Sequence, residues 1–434
     1  MKPKNHSKIF DLSAISIIAC DCLQAVICIF IDLFFVSQIL KNPNASPSEN
    51  IIKIGVFYII FYLVLASGYS VTGYVLRKIN KSIFVSIGAV FLTVVVLLVY
   101  LLGESVTSFT FVPVVAFIYG IGFTFFSSGF NNLTAETISS KHQVRFFAVK
   151  RIMFQITYII FPVSLGLIID NVNFSFMALI MLVICGLLIM FSFFIKPKKT
   201  YELSFNLKSF GKFMKENKEA TKPLWLVYVS NFFRGASYDC FTTLITILVV
   251  KEFSSNTSLG TFQSIFTAVS LITMFFYLKY YRKKRATKFI APTIILVACT
   301  IVGILSVTNE VTIILFYAIY AILNVILMSI SDSRRAGVVR VLSLHSHILE
   351  SNAFAEFFLG AGRVIGSLFV VLAGVFDSLI GANSTIFLKV SLGLVCIMYV
   401  MYGLSLIWLE KALIKQDEEF RKAHISEVIE KTEE

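Results

Sequence analysis

The chain has 434 residues, of which 57% are hydrophobic and 15% charged, with a mean hydropathy of +0.84 and a formal net charge of +13. A soluble chain of this length needs more polar surface, so the composition excludes an ordinary soluble globular protein. The positive charge is not a nucleic-acid signal, because no basic face with interleaved stacking aromatics is found, and we expect no nucleic-acid partner.

Apolar stretches of membrane-spanning length follow one another along the sequence. Each holds roughly 20 residues, the length that a helix needs to cross ~30 Å of hydrocarbon. The sequence therefore predicts an all-α membrane protein with about twelve transmembrane helices in two six-helix bundles. The predicted spans are 13–40, 52–76, 83–102, 111–133, 146–169, 175–195, 224–250, 259–281, 289–307, 310–331, 352–376 and 385–410.

Lysine and arginine are concentrated in every second gap between these stretches. The two tails and the alternate gaps together hold 31 of the 38 basic residues, and the remaining gaps hold only Lys41, Lys53, Lys251 and Lys389. Because positively charged loops stay on the cytoplasmic side, both termini are predicted to be cytoplasmic. We expect a multi-pass protein of a cell membrane, and specifically of a bacterial plasma membrane.

A long, lysine-rich gap divides the predicted spans into two sets of six. The predicted segments are an N-terminal bundle over 1–195, a cytoplasmic amphipathic linker over 196–223, a C-terminal bundle over 224–410 and a charged cytoplasmic tail over 411–434. An amphipathic linker of this kind favours a position on the membrane surface. None of these segments is typical of a soluble catalytic domain.

Motifs for catalysis and for metal or cofactor binding are absent from the sequence. No HExxH, GxSxG or phosphate-cradling GxxxxGKS pattern occurs, and the seven cysteines show no CxxC spacing. We therefore expect no enzyme, no cofactor and no metal site. Without a nucleotide-binding motif, any transport must draw on ion or solute gradients.

Acidic residues inside the apolar stretches are the candidates for proton coupling. An ionisable group in hydrocarbon costs several kcal/mol unless it faces a cavity or a partner. Asp21 and Asp32 lie eleven residues apart in the first stretch, on nearly the same side of a helix, and Glu356 lies in the eleventh. The functional interpretation is proton carriage or cation binding. The alternative is a structural ion pair or a side chain that reaches the interface.

Substrate-binding candidates lie on matching polar stripes of the two halves. A shift of 210 residues aligns the stripe Asp21, Gln24, Cys28 and Asp32 with a stripe that starts at Asn231, and a parallel repeat of six spans is a known transporter plan. The two central arginines offer planar donor groups for an anion or a partner for an aspartate. Weaker polar positions, including Gln155, Tyr158 and Gln263, are explained by hydrogen bonds between helices. The substrate-binding candidates are Gln24, Asn231, Arg234, Tyr238 and Arg363.

The two halves, the basic linker and one loop motif together resemble the major facilitator superfamily. That family carries Gly-x-x-x-Asp-Arg-x-Gly-Arg-Lys between spans two and three, and this chain has arginine at the acidic position and Asn80 at the second glycine. The eleventh stretch is similar to poorly characterised permeases of low-GC Gram-positive bacteria. The resemblance implies a cytoplasmic gating motif that consists of Gly73, Arg77, Lys78, Lys81, Glu136 and Arg145.

The resemblance implies a secondary active transporter that works by alternating access. We expect a small polar or anionic solute, coupling to protons or another ion, a lipid bilayer around the protein and a monomer. One alternative is a multidrug proton antiporter for hydrophobic compounds, although the two central arginines would repel cations. The other alternative is a non-transporting membrane sensor or assembly partner. A structure without a cavity at the polar stripes would favour that sensor.

Overall fold

The computed structural model describes residues 11–76, 80–138, 143–196, 205–253, 255–280, 286–306, 310–341, 347–380 and 386–433. Within these ranges the secondary structure is helical and no strand occurs, which confirms the all-α prediction for the described part of the chain. The α-helices are α1 Leu12–Ile29, α2 Val36–Leu40, α3 Pro47–Leu76, α4 Lys81–Leu102, α5 Phe111–Thr137, α6 Gln143–Asn171, α7 Phe174–Phe193, α8 Leu207–Glu216, α9 Lys218–Arg234, α10 Cys240–Phe253, α11 Asn256–Tyr280, α12 Ala286–Ser306, α13 Glu310–Val341, α14 Ile348–Ile380 and α15 Ile386–Glu433.

Eleven helical segments in the described residues are long and apolar enough to cross a membrane. Two of these segments are composite, because α1 continues into α2 and α9 continues into α10. A further apolar stretch, Ile290–Gly303 within α12, is shorter than the others. The chain is therefore a multi-pass membrane protein, and the total of twelve spans and the side on which the termini lie stay predictions.

Short polar side chains start several of the helices. The first backbone N–H groups of a helix have no partner within the helix, and an aspartate or asparagine side chain supplies one. Asp11 accepts from the backbone of Ala14 at the start of α1, and Asn173 accepts from Phe176 at the start of α7. Such caps let consecutive helices reverse direction over short connections.

The helices pack as two halves, α1 to α7 and α9 to α15, which meet along two pairs of helices. These pairs are α3 with α14 and α6 with α11. Glycines allow the close approach: a Cβ added at Gly360 of α14 would lie 2.5 Å from the Cβ of Ala66, and one added at Gly260 of α11 would collide with the carbonyl oxygen of Pro162. The space between the halves is therefore bounded by these two pairs.

The amphipathic helix α8 lies at one end of the molecule, which we term the linker end. Phe210 and Met214 are its buried side chains, and Phe210 packs against Phe354 of α14. The backbone N–H of Asn206, which precedes α8, donates to the buried Glu350 carboxylate at 2.7 Å. The opposite end, where α2 ends and α11 begins, is the far end.

A π-helical segment interrupts the first span of each half. Phe30–Phe35 separates α1 from α2, and Gly235–Asp239 separates α9 from α10. A π-helical turn inserts a residue into the ladder of backbone hydrogen bonds and frequently marks a functional site. The tyrosine hydroxyl of Tyr58 donates to the carbonyl oxygen of Asp32 at 3.2 Å, within the first of these segments.

Candidate functional site

A cavity of about 260 Å³ lies between the two halves, beside both π-helical segments. We term it the central cavity. α1, its π-helical segment and helices α3 and α6 contribute from one half, and the other half contributes Tyr238, α10 and α11. Among the described residues of its wall, Asp32 is the one that carries a charge. The wall consists of Cys28, Ile29, Asp32, Leu33, Tyr58, Tyr62, Tyr158, Tyr238, Thr242, Thr243, Thr246 and Gln263.

Hydroxyl groups dominate the polar part of this wall. Four tyrosines and three threonines contribute hydroxyls, and Gln263 adds an amide whose oxygen accepts from the Tyr317 hydroxyl at 3.2 Å. A hydroxyl both donates and accepts, so the wall offers hydrogen bonds of either sense. The tyrosine rings also offer flat apolar surface. The cavity is suited to a small solute that carries several hydrogen-bonding groups.

Asp32 is the acid that the structure places in the central cavity. The Tyr119 hydroxyl of α5 donates to its carboxylate Oδ2 at 3.2 Å. Tyr119 is itself fully buried and its ring stacks on Phe61 at a centroid distance of 4.6 Å. A hydrogen bond to a carboxylate favours its charged form. The Asp32 carboxylate therefore has a stabilising donor within the protein, and it also borders the cavity.

The two predicted stripes converge on the central cavity at one end only. Cys28 and Asp32 of the first stripe and Tyr238 and Thr242 of the second line its wall. Gln24, one turn earlier, is buried and donates to the Cys28 sulfur at 3.1 Å. Asn231 is also buried, and its side-chain nitrogen has no acceptor among the described residues. The two stripes therefore meet at the cavity through their last two residues each. A role of Gln24 and Asn231 in substrate binding stays a prediction.

Asp21 lies apart from Asp32 and forms an ion pair with Lys150 of α6. The two charged atoms are 3.2 Å apart, and both side chains are mostly buried. The ammonium group also lies 4.8 Å from the ring centroid of Phe130. This geometry corresponds to the structural ion pair that the sequence left open for Asp21.

Arg234 pairs with Asp332 of α13, at the linker end of the space between the halves. Its guanidinium donates to the Asp332 carboxylate at 3.1 Å, and a second nitrogen lies 3.8 Å from the Met328 sulfur. The Arg234 side chain is 20% exposed, whereas that of Asp332 is 64% exposed. The arginine is therefore held away from the wall of the central cavity, and its predicted role in substrate binding stays a prediction.

The polar face of α14 lies against α3. The Arg363 guanidinium lies 5.2 Å from the ring centroid of Tyr62, a tyrosine of the central cavity. Glu356 is half-buried and, with Arg363, lies within electrostatic reach of Tyr69 on α3. Within the described part of the chain Glu356 forms no salt bridge. Both residues therefore lie between the halves, one on each side of the glycine contact at Gly360.

The predicted gating motif is described only in part. Gly73 contacts the linker, because a Cβ added there would lie 2.6 Å from the ring of the buried Phe205. Lys81 is buried in the first turn of α4. Two further motif residues, Arg77 and Lys78, lie outside the described residues, as do the side chains of Glu136 and Arg145.

Hydrogen bonds join the two halves at the far end. Asp170, at the end of α6, accepts from the backbone N–H and the hydroxyl of Thr257 at 2.7 and 2.8 Å, and from the Asn256 side chain at 2.8 Å. The Asn256 side-chain oxygen in turn accepts from Ser37 at 3.0 Å and from the Lys41 ammonium at 2.9 Å. Burial lowers the pKa of Lys41, whereas the Asp170 charge opposes that shift. We term this group the far-end network.

Several residues of the site carry little signal in the sequence. The spacing of four residues between Tyr58 and Tyr62, and between Thr242 and Thr246, places each pair on one helix face, yet tyrosines and threonines are common in membrane helices. Lys150 and Asp332 lie near the ends of apolar stretches, where a charge is ordinarily solvated. Only the packing of the helices shows that these two charges are partners of Asp21 and Arg234.

Comparison with known sequences identifies one family and one relative. The model of the Major Facilitator Superfamily matches residues 14–340. The uncharacterized protein YqgE of Bacillus subtilis (strain 168) is 26% identical over 317 residues, which cover 69% of each chain.

Solved structures of transporters share the fold. The nucleoside transporter NupG superposes with a TM-score of 0.64 at 15% identity, over 92% of this chain and 98% of that chain. The human organic anion transporter MFSD10 (TETRAN) superposes with a TM-score of 0.61 at 10% identity, over 90% and 99% of the two chains. At these identities the likeness concerns the arrangement of the helices.

Proposed function

The chain belongs to the major facilitator superfamily, and from that premise we propose that it moves a small polar solute by proton-coupled alternating access. The observation that carries the proposal is the central cavity, which both halves line and in which Asp32 is the charged group. A transporter needs such a site near the interface of its repeats. A sensor without transport has no need of a cavity at its costly intramembrane charge.

Asp32 is the proposed proton carrier. Its carboxylate borders the central cavity and accepts from Tyr119 at 3.2 Å, so a solute that enters or leaves changes the surroundings of the acid directly. An intramembrane carboxylate changes its protonation when its hydration changes, because burial penalises the charged form. Coupling then follows from one site that alternates between charged and neutral states as the cavity opens and closes.

The proposed solute is small, polar and neutral, with several hydroxyl, amide or ring nitrogen groups. The hydroxyl-rich wall supplies donors and acceptors, and the rings of Tyr158 and Tyr238 supply flat faces. An anionic solute is disfavoured at this position because the wall's charged group is a carboxylate. Nucleosides fit this description, and the fold is shared with the nucleoside transporter NupG.

The described conformation is the proposed inward-facing state. The far-end network joins the halves on one side, whereas at the linker end Asp332 stays 64% exposed beside Arg234. The linker end is the proposed cytoplasmic side. The linker and the other connections between helices at this end are rich in lysine and arginine, and positively charged loops stay in the cytoplasm. Transport to or from the other side then requires that the far-end network separates.

Proton flux in proteoliposomes tests the function. The purified protein is reconstituted with a trapped pH-sensitive dye, and nucleosides, sugars and neutral amides are added singly under an imposed pH gradient. We expect at least one solute to change the rate of proton movement. Asp32→Asn should abolish that change, and Glu356→Gln is the second neutralising variant.

The matched control is Glu104→Gln, which neutralises an exposed acid in the 3₁₀ turn Gly103–Thr107 that follows α4. It should retain the wild-type response. Unchanged solute-dependent proton flux in Asp32→Asn would remove the assignment of Asp32, and unchanged flux in Glu356→Gln as well would remove both acids as proton carriers. No response to any solute, with binding of none of them in a thermal-shift screen, would favour the sensor instead.

A further inference from the structure

We propose a second binding site, for an organic anion, in a groove between α1 and α6 that lies outside the central cavity. The groove has a volume of about 400 Å³ and is lined by Asp21, Phe147, Lys150, Arg151 and Phe154. Its ligand is a carboxylate or phosphate group attached to an aromatic or aliphatic body. This site goes beyond the proposed transport function, which rests on the central cavity alone.

The charges of the groove favour an anion. Lys150 and Arg151 contribute two positive charges, and Asp21 contributes one negative charge at 3.2 Å from the Lys150 ammonium. Arg151 is exposed, and its guanidinium carbon lies 5.9 Å from the ring centroid of Phe154. A guanidinium fork matches the geometry of carboxylate and phosphate oxygens. The lining therefore carries a net charge of +1.

The walls of the groove favour an anion with an apolar body. Phe147 is 44% exposed although it is a large aromatic residue. Phe154 forms the other wall and packs its ring against the Arg151 side chain. A ligand with an apolar body packs against these two rings, which a bare inorganic ion does not achieve. The groove therefore discriminates by the body of the ligand as well as by its charge.

The groove lies next to the central cavity but has the opposite electrostatic character. The rings of Phe154 and Tyr158 contact at a centroid distance of 4.8 Å, and Tyr158 lines the cavity. Along the first span, Asp21 of the groove and Asp32 of the cavity lie about 16 Å apart, from the helical rise per residue. One small solute cannot reach both carboxylates. The two sites are separate positions along one side of the N-terminal half.

Asp21 acts as an internal competitor for the ligand. Its carboxylate neutralises Lys150 when the groove is empty, so an incoming anion must share that lysine with it. Removal of the Asp21 charge should therefore strengthen anion binding, whereas removal of the Arg151 charge should weaken it. Opposite effects of two neighbouring residues distinguish this site from a non-specific basic surface.

Calorimetric titration of the full chain with phenyl phosphate tests the site, with the protein in nanodiscs of zwitterionic phosphatidylcholine. We expect Arg151→Gln to bind about tenfold more weakly, the loss typical of one charge-assisted hydrogen bond. Asp21→Asn should bind several-fold more tightly. Inorganic phosphate should bind more weakly than phenyl phosphate, because it leaves the two rings uncovered.

Two matched variants should leave the affinity unchanged. Lys212→Gln removes an exposed lysine of α8 at the same end of the molecule, and Glu104→Gln removes an exposed acid at the opposite end. Because transport is tested with Asp32→Asn, and this site with Arg151→Gln and Asp21→Asn, failure of one proposal is distinguishable from failure of the other. Absence of phenyl phosphate binding, equal binding by Arg151→Gln, or weaker binding by Asp21→Asn would each overturn the site.

Nanodiscs that contain phosphatidylglycerol distinguish a soluble ligand from a lipid headgroup, since both carry the same phosphate chemistry. If the groove takes a lipid headgroup, the anionic lipid should lower the apparent affinity of the wild type for phenyl phosphate, with little effect on Arg151→Gln. If the ligand is soluble, the two lipid compositions should give the same affinity. Either result assigns the source of the anion that the groove binds.

Discussion

Asp32 occupies a position where a carboxylate is energetically unfavourable, because an ionisable group in hydrocarbon costs several kcal/mol. Three features of its surroundings reduce that cost: the bordering cavity, the Tyr119 hydroxyl, and a wall of further hydroxyl groups. Asp21 is accommodated differently, by an ion pair with Lys150. The same residue type on the same helix therefore has two environments, one open to a solute and one already paired.

Tyr119→Phe tests the surroundings of Asp32 at the level of one oxygen atom. The substitution removes the donor to the carboxylate and keeps the ring that stacks on Phe61. Because the carboxylate loses this hydrogen-bond donor, the solute-dependent proton flux should fall about tenfold, the effect of one hydrogen bond to a charged group. Flux measurements in proteoliposomes compare the variant with the wild type.

The thermal midpoint of Tyr119→Phe should stay within a few degrees of the wild type, since the packing is kept. Unchanged solute-dependent proton flux in Tyr119→Phe would show that the hydroxyl has no part in the coupling.

At the scale of elements, the interfaces between helices depend on small side chains and on buried ion pairs. Glycines allow α14 to approach α3 and allow α11 to approach α6, and these contacts join the halves. Within the C-terminal half, Arg334 of α13 pairs with Glu410 of α15 at 2.6 Å, and both residues are buried. Packing, rather than apolar burial, discriminates between helix arrangements inside a membrane.

Gly360→Leu should disrupt the contact between α3 and α14. A Cβ added at this position would lie only 2.5 Å from the Cβ of Ala66, so the leucine side chain should force the two helices apart. We expect loss of transport and a lower thermal midpoint. Gly393→Leu is the matched control, because no atom of the described residues lies within 4 Å of an added Cβ there. Equal stability of the two variants would contradict the close contact.

Arg334→Met should destabilise the protein strongly, because it leaves the Glu410 carboxylate buried without its cation. The expected loss is about 3–5 kcal/mol, the range for one broken partner of a buried pair. The double variant Arg334→Met with Glu410→Leu should recover most of this loss, since both charges of the pair are removed. Thermal unfolding in detergent compares the three proteins, and a double variant as unstable as the single one would contradict the explanation.

At the scale of the whole molecule, the two ends of the interface between the halves differ. The far-end network joins α2 and α6 of one half to the start of α11 in the other. Asp170 accepts from two backbone N–H groups at the N-terminus of α11, so it also satisfies groups that have no partner within that helix. This network is the element that must break if the central cavity is to open at the far end.

Labelling of Cys28 reports which end of the molecule gives access to the central cavity. Cys28 lines the cavity, and replacement of the other six cysteines by serine makes it a single reporter. A membrane-impermeant thiol reagent should label it faster from the linker end than from the far end. Asp170→Asn with Asn256→Ala should raise the far-end rate several-fold, because the bonds between the halves are lost.

Ser255→Ala is the milder control, since it removes one donor to Asp170 and leaves the others. It should change the far-end labelling rate least. If the double variant labels from the far end no faster than the wild type, the far-end network is not the closure.

The sequence by itself determined the all-helical membrane class, the family, and the approximate positions of the apolar helices, although α13 and α15 extend past the predicted spans to Val341 and Glu433. These properties depend on apolar length and on the positions of charges along the chain, which are readable without contacts. The sequence also placed Asp32 and Tyr238 on matching stripes, and both line the central cavity.

Only the tertiary structure decided which charge meets which partner. Asp21 and Lys150 are separated by 129 positions and Arg234 and Asp332 by 98, so no local spacing connects them. The tertiary structure also decided that, among the described residues, Asp32 lines the cavity whereas Arg234 and Arg363 do not, although all three lie on predicted polar faces. A stripe specifies the direction of a side chain around one helix, whereas its depth and its partner depend on how neighbouring helices pack.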